Sequence, residues 1–184
     1  MKEEMYDIMY QTERDHWWYR VRRELVSRLL GQIQKKRGGT PLHILDVGCG
    51  TGLLMQEMQQ FGQIEGVDMS ERAVAYCRER NLNPVVGSAD SLPFPDGSFD
   101  VVVMLDVLEH LEDDSIGARE IYRILKPGGI AIVTVPAFMF LWGDTDEIGN
   151  RYRRYSRTQL LSRLREAGLQ IDRSTYFNTL LFPA

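Results

Sequence analysis

The segment Ile44-Leu45-Asp46-Val47-Gly48-Cys49-Gly50-Thr51-Gly52 decides the fold of this chain. Leu42, Ile44, Leu45 and Val47 form an apolar run suited to a strand buried on both faces, and it ends in an acid and then a glycine at every second position. Glycines there let the backbone turn sharply and come close to a ligand. Leu53 to Gln60 continue as a short helix. Strand, glycine turn and helix N-terminus make up the first half of a nucleotide-binding βαβ unit.

The spacing narrows the ligand. A dinucleotide site needs Gly-x-Gly-x-x-Gly, and here the third glycine arrives one position early; no lysine follows Gly52, so the phosphate-binding Gly-x-x-x-x-Gly-Lys loop is missing too. The stretch LDVGCGTG, Leu45 to Gly52, resembles motif I of the class I S-adenosylmethionine (SAM) dependent methyltransferases. That resemblance implies a Rossmann-like α/β fold with a doubly wound, mostly parallel sheet, SAM as cofactor, and methyl transfer by in-line displacement. Two other readings stay open. A non-catalytic SAM-binding module or partner subunit would keep the same turn, and a nicotinamide-dependent oxidoreductase would share the fold, although the glycine spacing argues against it.

Gln63 to Asp68 reads as a second strand whose terminal acid is placed to accept both ribose hydroxyls, or to cap the helix that begins at Met69 or Ser70 and runs to about Arg80. Met69 would then lie against the adenine. After a brief strand at Pro84 to Val86, the resemblance implies that Asp90, with Ala89 beside it, reaches the adenine amino group; a turn role suits Asp90 as well. Phe99 to Leu105 is a continuous apolar strand, hence central, and Asp106-Val107-Leu108-Glu109-His110-Leu111 lies at its carboxyl end, the edge where α/β sheets hold ligands. The expected cofactor contacts are Asp46, Gly48, Cys49, Gly50, Gly52, Asp68, Met69, Ala89, Asp90 and Leu105. His110, beside Glu109, is the candidate base for an oxygen or nitrogen nucleophile, a packing or loop-capping role being the alternative.

Asp113 to Leu125 reads as an amphipathic helix, Lys126-Pro127-Gly128-Gly129 as a turn and Ile130 to Val135 as a fifth buried strand. Five βα units from Leu42 to Val135 make a doubly wound sheet the economical fold. The resemblance adds an antiparallel hairpin of strands six and seven. Leu169 to Phe177 suits strand six, and little sequence remains for a seventh. A truncated chain or an incomplete hairpin is therefore expected, with an exposed sheet edge that a second copy of the chain would cover.

The flanks are expected to choose the acceptor. Residues 1–40 read as a helical lid in which Trp17-Trp18-Tyr19 either fold over the cleft or pack, with Arg20 near the cofactor carboxylate. In Pro136 to Tyr155, an apolar wall from Phe138 to Trp142 precedes Arg151, Arg153 and Arg154, which suits an acceptor with hydrophobic and anionic parts, or else a solvated loop leading into a helix from Thr158 to Ala167. Trp18, Tyr19, Phe138, Trp142, Tyr152, Arg153 and Arg154 are the expected acceptor contacts. Similar methyltransferases carry an Asn-His-Tyr-Arg-Arg-Tyr-like string over the active site; this chain has Arg151 at the histidine position, so that histidine's role does not transfer.

Composition frames these readings. A chain of 184 residues, 43% hydrophobic, fits one domain, and a net charge of -4 speaks against nucleic acid as a partner. Cys49 and Cys77 have no metal-ligand spacing and read as free thiols, so no metal is expected. No signal peptide or membrane-spanning run is apparent, which makes a cytoplasmic enzyme acting on a small molecule, lipid or glycan the expectation.

Overall fold

The computed structural model describes residues 3–177. Two helices, α1 (Glu4–Thr12) and α2 (Trp17–Lys36), precede the sheet. Then follow β1 (Leu42–Val47), α3 (Leu53–Met58), β2 (Gly62–Asp68), α4 (Glu71–Glu79), β3 (Val85–Val86), β4 (Phe99–Leu105), α5 (Asp114–Ile124), β5 (Leu125–Thr134), α6 (Asp144–Ile148) and α7 (Arg157–Glu166). The strands pair in parallel in the order β3-β2-β1-β4-β5. The order of strand addition reverses between β1 and β4, which opens a crevice at their carboxyl ends.

The two faces of the sheet are written in alternate residues. Leu42 and Ile44 of β1 with Val101 and Val103 of β4 pack under Val26, Leu30 and Ile33 of α2. Leu45 and Val47 with Val102 and Met104 face α5 through Ala118, Ile121 and Ile124, and α7 through Leu164. Every one of these side chains is buried, so β1 and β4 are the rigid floor on which the crevice is built.

Three expectations are corrected. Leu125 already pairs with Phe99, and Val101 pairs with Ile130, so Lys126-Pro127-Gly128-Gly129 is a bulge inside β5 rather than a turn before it. Gly128, at φ 73°, absorbs the extra residues. Second, Leu169 to Phe177 forms no strand: Asp172, Arg173 and Ser174 interrupt the apolar run, and only Leu169 and Ile171 join the core. Tyr176 and Phe177 instead stack on Phe138 and Trp18, with ring centroids 5.0 and 5.3 Å apart. The remainder of the expected hairpin lies outside the described residues. Third, Asp68 is not the cap of α4; Ser70 is, its Oγ accepting the Ala73 amide at 3.2 Å.

Candidate functional site

The carboxyl ends of β1, β2 and β4 open onto one cleft of about 660 Å³, within the range of small-molecule sites. Its floor is the glycine turn. Gly48 and Gly52 have φ of 72° and 86°, and a Cβ on them would lie 2.4 Å from a Val107 methyl and 2.7 Å from the Cys77 sulfur. Only glycine meets both demands. The Val67 carbonyl accepts the Gly48 and Cys49 amides at 2.8 and 3.1 Å, which pins the turn to the end of β2.

Two buried carboxylates flank this turn. Asp68 accepts the Gly50 amide at 2.8 Å on one oxygen, and the Ser70 amide at 3.0 Å and Tyr6 hydroxyl at 3.3 Å on the other. Burial still pushes its pKa above the usual carboxylate range. Asp46 makes no side-chain hydrogen bond among the described residues. Burial raises its pKa to about 7, against the pull of Arg22. The neighbouring Cys77, and then burial, push the Cys49 thiol up, so Cys49 is not an activated nucleophile.

The roof comes from α1 and the start of α2. Glu13, buried, accepts the Thr51 hydroxyl at 2.6 Å and Arg80 at 2.7 Å, fastening α1 to the glycine turn. Asp7 binds Arg72 and Tyr76, and Tyr10 stacks on Tyr76 at 4.2 Å. Tyr6, Met9 and Glu13 thereby line the cleft, as do Trp18, Tyr19 and Arg22 of the following turn. Trp17 is half exposed and does not border it. Arg22 donates to the Leu105 carbonyl and approaches Asp106, both at 3.3 Å, while its Nε is buried with no partner. Arg20, two positions earlier, is exposed and outside the lining.

Beside Arg22, Asp106 sits at φ 55°, held by the Thr134 hydroxyl at 2.9 Å. His110 borders the cleft, with Nδ1 3.4 Å from the Asn150 carbonyl, and burial holds its pKa below the ordinary imidazole value. Val107, Leu111, Ile148 and Tyr152 complete an apolar and aromatic wall.

Of the cofactor contacts expected from sequence, Asp46, Gly48, Cys49, Gly50, Asp68, Met69, Ala89, Asp90 and Leu105 all line the cleft, Gly52 lying beneath the turn at the start of α3. Among the acceptor contacts, Trp18, Tyr19 and Tyr152 line it; Phe138, Trp142, Arg153 and Arg154 do not. The arginines are spent on internal carboxylates. Arg154 binds buried Asp146 at 2.8 Å, and Arg153 reaches Asp114 at 3.3 Å and the Glu112 carbonyl at 2.5 Å. Tyr6, Met9, Glu13, Arg22 and Asp106 were not singled out from sequence. The phase of α2 carried a signal for Arg22, which shares a face with Val26, Leu30 and Ile33, whereas Arg20 lies on the opposite side.

The sequence profile of the methyltransferase domain family matches residues 45–133, the span from β1 through β5 that carries the cleft floor. Over this span the chain is similar to the class I SAM-dependent methyltransferases. A Mycolicibacterium smegmatis protein named "Probable S-adenosylmethionine-dependent methyltransferase" is 30% identical over 165 residues, 86% of this chain and 61% of its own length. The ubiquinone biosynthesis O-methyltransferase of Pseudomonas aeruginosa is 28% identical over 184 residues, covering 84% of this chain and 78% of that one. A solved protein of Pyrococcus horikoshii OT3 superposes with a TM-score of 0.72 at 26% identity, covering 90% of this chain and 89% of that one. This chain thus spans less than two thirds of the length of its M. smegmatis relative. Among the described residues no helix is long and apolar enough to cross a membrane, and no cluster of side chains could hold a metal ion.

Proposed function

We propose that this chain transfers a methyl group from SAM to a hydroxyl group on a small molecule with a planar, apolar body. One observation carries the cofactor half of the reading: buried Asp46 is an acceptor without a donor, and the buried Nε of Arg22 is a donor without an acceptor, both at the same end of the cleft. An amino-acid zwitterion offers an ammonium to the first and a carboxylate to the second. The SAM methionine end is such a group. Asp68 would take the ribose hydroxyls and Met69 and Asp90 the adenine, a reading supported by all three lining the cleft beside the glycine turn.

When bound, SAM supplies a methyl on a positively charged sulfur, which the acceptor's oxygen lone pair attacks while the carbon–sulfur electron pair stays on sulfur. The protein's share is alignment and exclusion of water. The α1 clamp closes the roof, and Trp18, Tyr19 and Tyr152 give flat walls suited to an aromatic acceptor. His110 would receive the hydroxyl proton, a role supported by its position on the cleft lining and by the burial that lowers its pKa and favours the neutral ring. The name of the P. aeruginosa relative, an O-methyltransferase of ubiquinone biosynthesis, supports transfer to oxygen. Because Arg153 and Arg154 are internally paired, an anionic group on the acceptor is not part of the proposal.

Titration calorimetry with SAM and NADH tests the cofactor. SAM should bind, NADH should not, and Asp68→Ala should lose about 1.5–3 kcal/mol of SAM affinity, as for a hydrogen bond to a charged group. Unchanged SAM affinity in that variant would remove Asp68 from the site. Labelled methyl-SAM incubated with hydroxylated aromatic compounds tests the reaction; bound SAM with no transfer to any of them would favour a non-catalytic module.

A further inference from the structure

Glu109 is a carboxylate that the proposed reaction leaves without a task. It is fully buried, neither side-chain oxygen has a hydrogen-bond partner among the described residues, and it does not itself line the cleft that its neighbour His110 borders. One oxygen is 3.9 Å from His110 Nε2 and 3.6 Å from Arg151 Nε, and that Arg151 nitrogen is itself buried without a hydrogen bond. The Glu109 carbonyl accepts the Tyr152 amide at 2.8 Å, so the residue also ties the acceptor wall to the end of β4. A sealed carboxyl with no donor is expensive as a charge, and its cost falls if it carries a proton or meets one.

We propose that Glu109 is a positioning residue for His110, a buried carboxyl whose charge beside the imidazole governs how readily Nε2 takes the acceptor's proton. The inference rests on reading the cleft as a methyl-transfer site with His110 as base. Nδ1 faces the Asn150 carbonyl and keeps its hydrogen in the neutral ring, leaving Nε2 as the basic nitrogen, and Nε2 is the one that faces Glu109. The charged and titratable groups around Glu109 are Asp106 at the end of β4, Arg22 of α2, His110, and Arg151 and Tyr155 of the acceptor loop.

Burial, with Asp106, pushes the Glu109 carboxyl to about 8, Arg151 and Arg22 pulling the other way, while burial lowers His110. At pH 7 the pair therefore holds one proton, on Glu109. When the acceptor's hydroxyl gives its proton to Nε2, the pair holds two. Above the Glu109 midpoint the carboxylate is charged, and it stabilises the imidazolium 3.9 Å away. Methyl transfer should accordingly rise with pH through an inflection near 8.

The test is carbon NMR on the unliganded chain labelled at glutamate and histidine, practicable because the sequence has only three histidines. The Glu109 carboxyl should titrate near pH 8, with a second inflection at that pH in the His110 ring. In Glu109→Gln the second inflection should vanish and His110 should titrate in one step. Arg151→Gln, which leaves the pair in place and removes a cation, should move the Glu109 midpoint upward; it carries the test alone if Glu109→Gln does not fold. An ordinary carboxylate midpoint for Glu109, or a His110 curve in Glu109→Gln superimposable on the wild type, would overturn the proposal. Failure of the wild-type chain to bind SAM in calorimetry would sink the methyltransferase reading and leave the coupled titration standing.

Discussion

The two ends of the cleft are built on opposite principles. At the cofactor end, backbone does most of the work: a turn of positive-φ glycines is fastened to Val67, and buried Asp46 and Asp68 stand beside it with capacity left over. At the acceptor end, most charged side chains are consumed by one another, the sealed Glu109 carboxyl and the Arg151 Nε beside it being the exceptions. Asp146 alone takes Arg154, Arg151 and the Gly143 amide, and Asp114 takes Arg153, Arg163 and the Tyr155 hydroxyl. An end with unmet polar groups is prepared for a charged ligand. An end whose charges cancel presents shape and apolar surface, and its ligand must be chosen by fit.

Removing Asp146 is the severest way to break the acceptor end. Asp146→Ala strands two arginines around a fully buried position, a loss of about 3–5 kcal/mol for a broken buried pair. Urea unfolding should register it, while SAM affinity measured on the folded fraction should hold. A fall in SAM affinity of similar size would show that the two ends are one structural unit.

The cofactor end breaks at the turn. In Gly48→Ala the added methyl meets Val107 at 2.4 Å in a backbone conformation that L residues avoid, a strain of about 1–3 kcal/mol. Most of it should appear in SAM affinity, because relief moves the turn or Val107, and both line the cleft. Calorimetry showing wild-type affinity would mean that the turn adapts without disturbing the site.

A smaller effect sharpens the contrast through pH. The folded-state pKa of Asp46 is raised to about 7 from an ordinary 3.8, so its contribution to stability is fully present below pH 4 and is lost as pH rises through 7. Glu109 acts in the same direction up to about 8. A cation bound beside Asp46 favours its ionised form. SAM binding should therefore release protons near pH 7 and tighten between pH 6 and 8, by no more than about 1.4 kcal/mol per pH unit. Calorimetry in buffers of different ionisation heat measures the release directly. Asp46→Asn should abolish it, and a release that persists in that variant would assign it elsewhere.

How much was legible follows the same division. The bounds of β4, the glycine turn and the acids at the strand ends can be read from sequence because each is a local pattern, an apolar run closed by a turn-forming or charged residue. Helix α1 falls within the helical lid expected over 1–40 but was not set apart from α2, because it docks chiefly through Asp7, Tyr10 and Glu13 and leaves little apolar stripe to see. Helix α6 is five residues long and carries its meaning in one acid. The arginines of 151–154 looked like a free positive cluster because their partners, Asp146, Glu109 and Asp114, are brought to them only by the fold. Sequence shows that charges exist, and burial decides whether they are available.

The smallest expected effect tests that last point on a single helix. Arg20 and Arg22 are two positions apart on α2, about 200° around the axis, and only one of them can face the cleft. Arg22 does, between Asp106 and the Leu105 carbonyl, with Nε unmet; Arg20 is in solvent. Arg20→Ala should therefore change stability and SAM affinity by less than about 0.5 kcal/mol, as for a surface position without partners. The same substitution at Arg22 should weaken SAM and leave Asp106 facing the cleft without its cation. If Arg20→Ala weakened SAM as much as Arg22→Ala, α2 would have to turn about its axis on binding. The roof would then be a moving part, and the unmet Nε of Arg22 would belong to the open state alone.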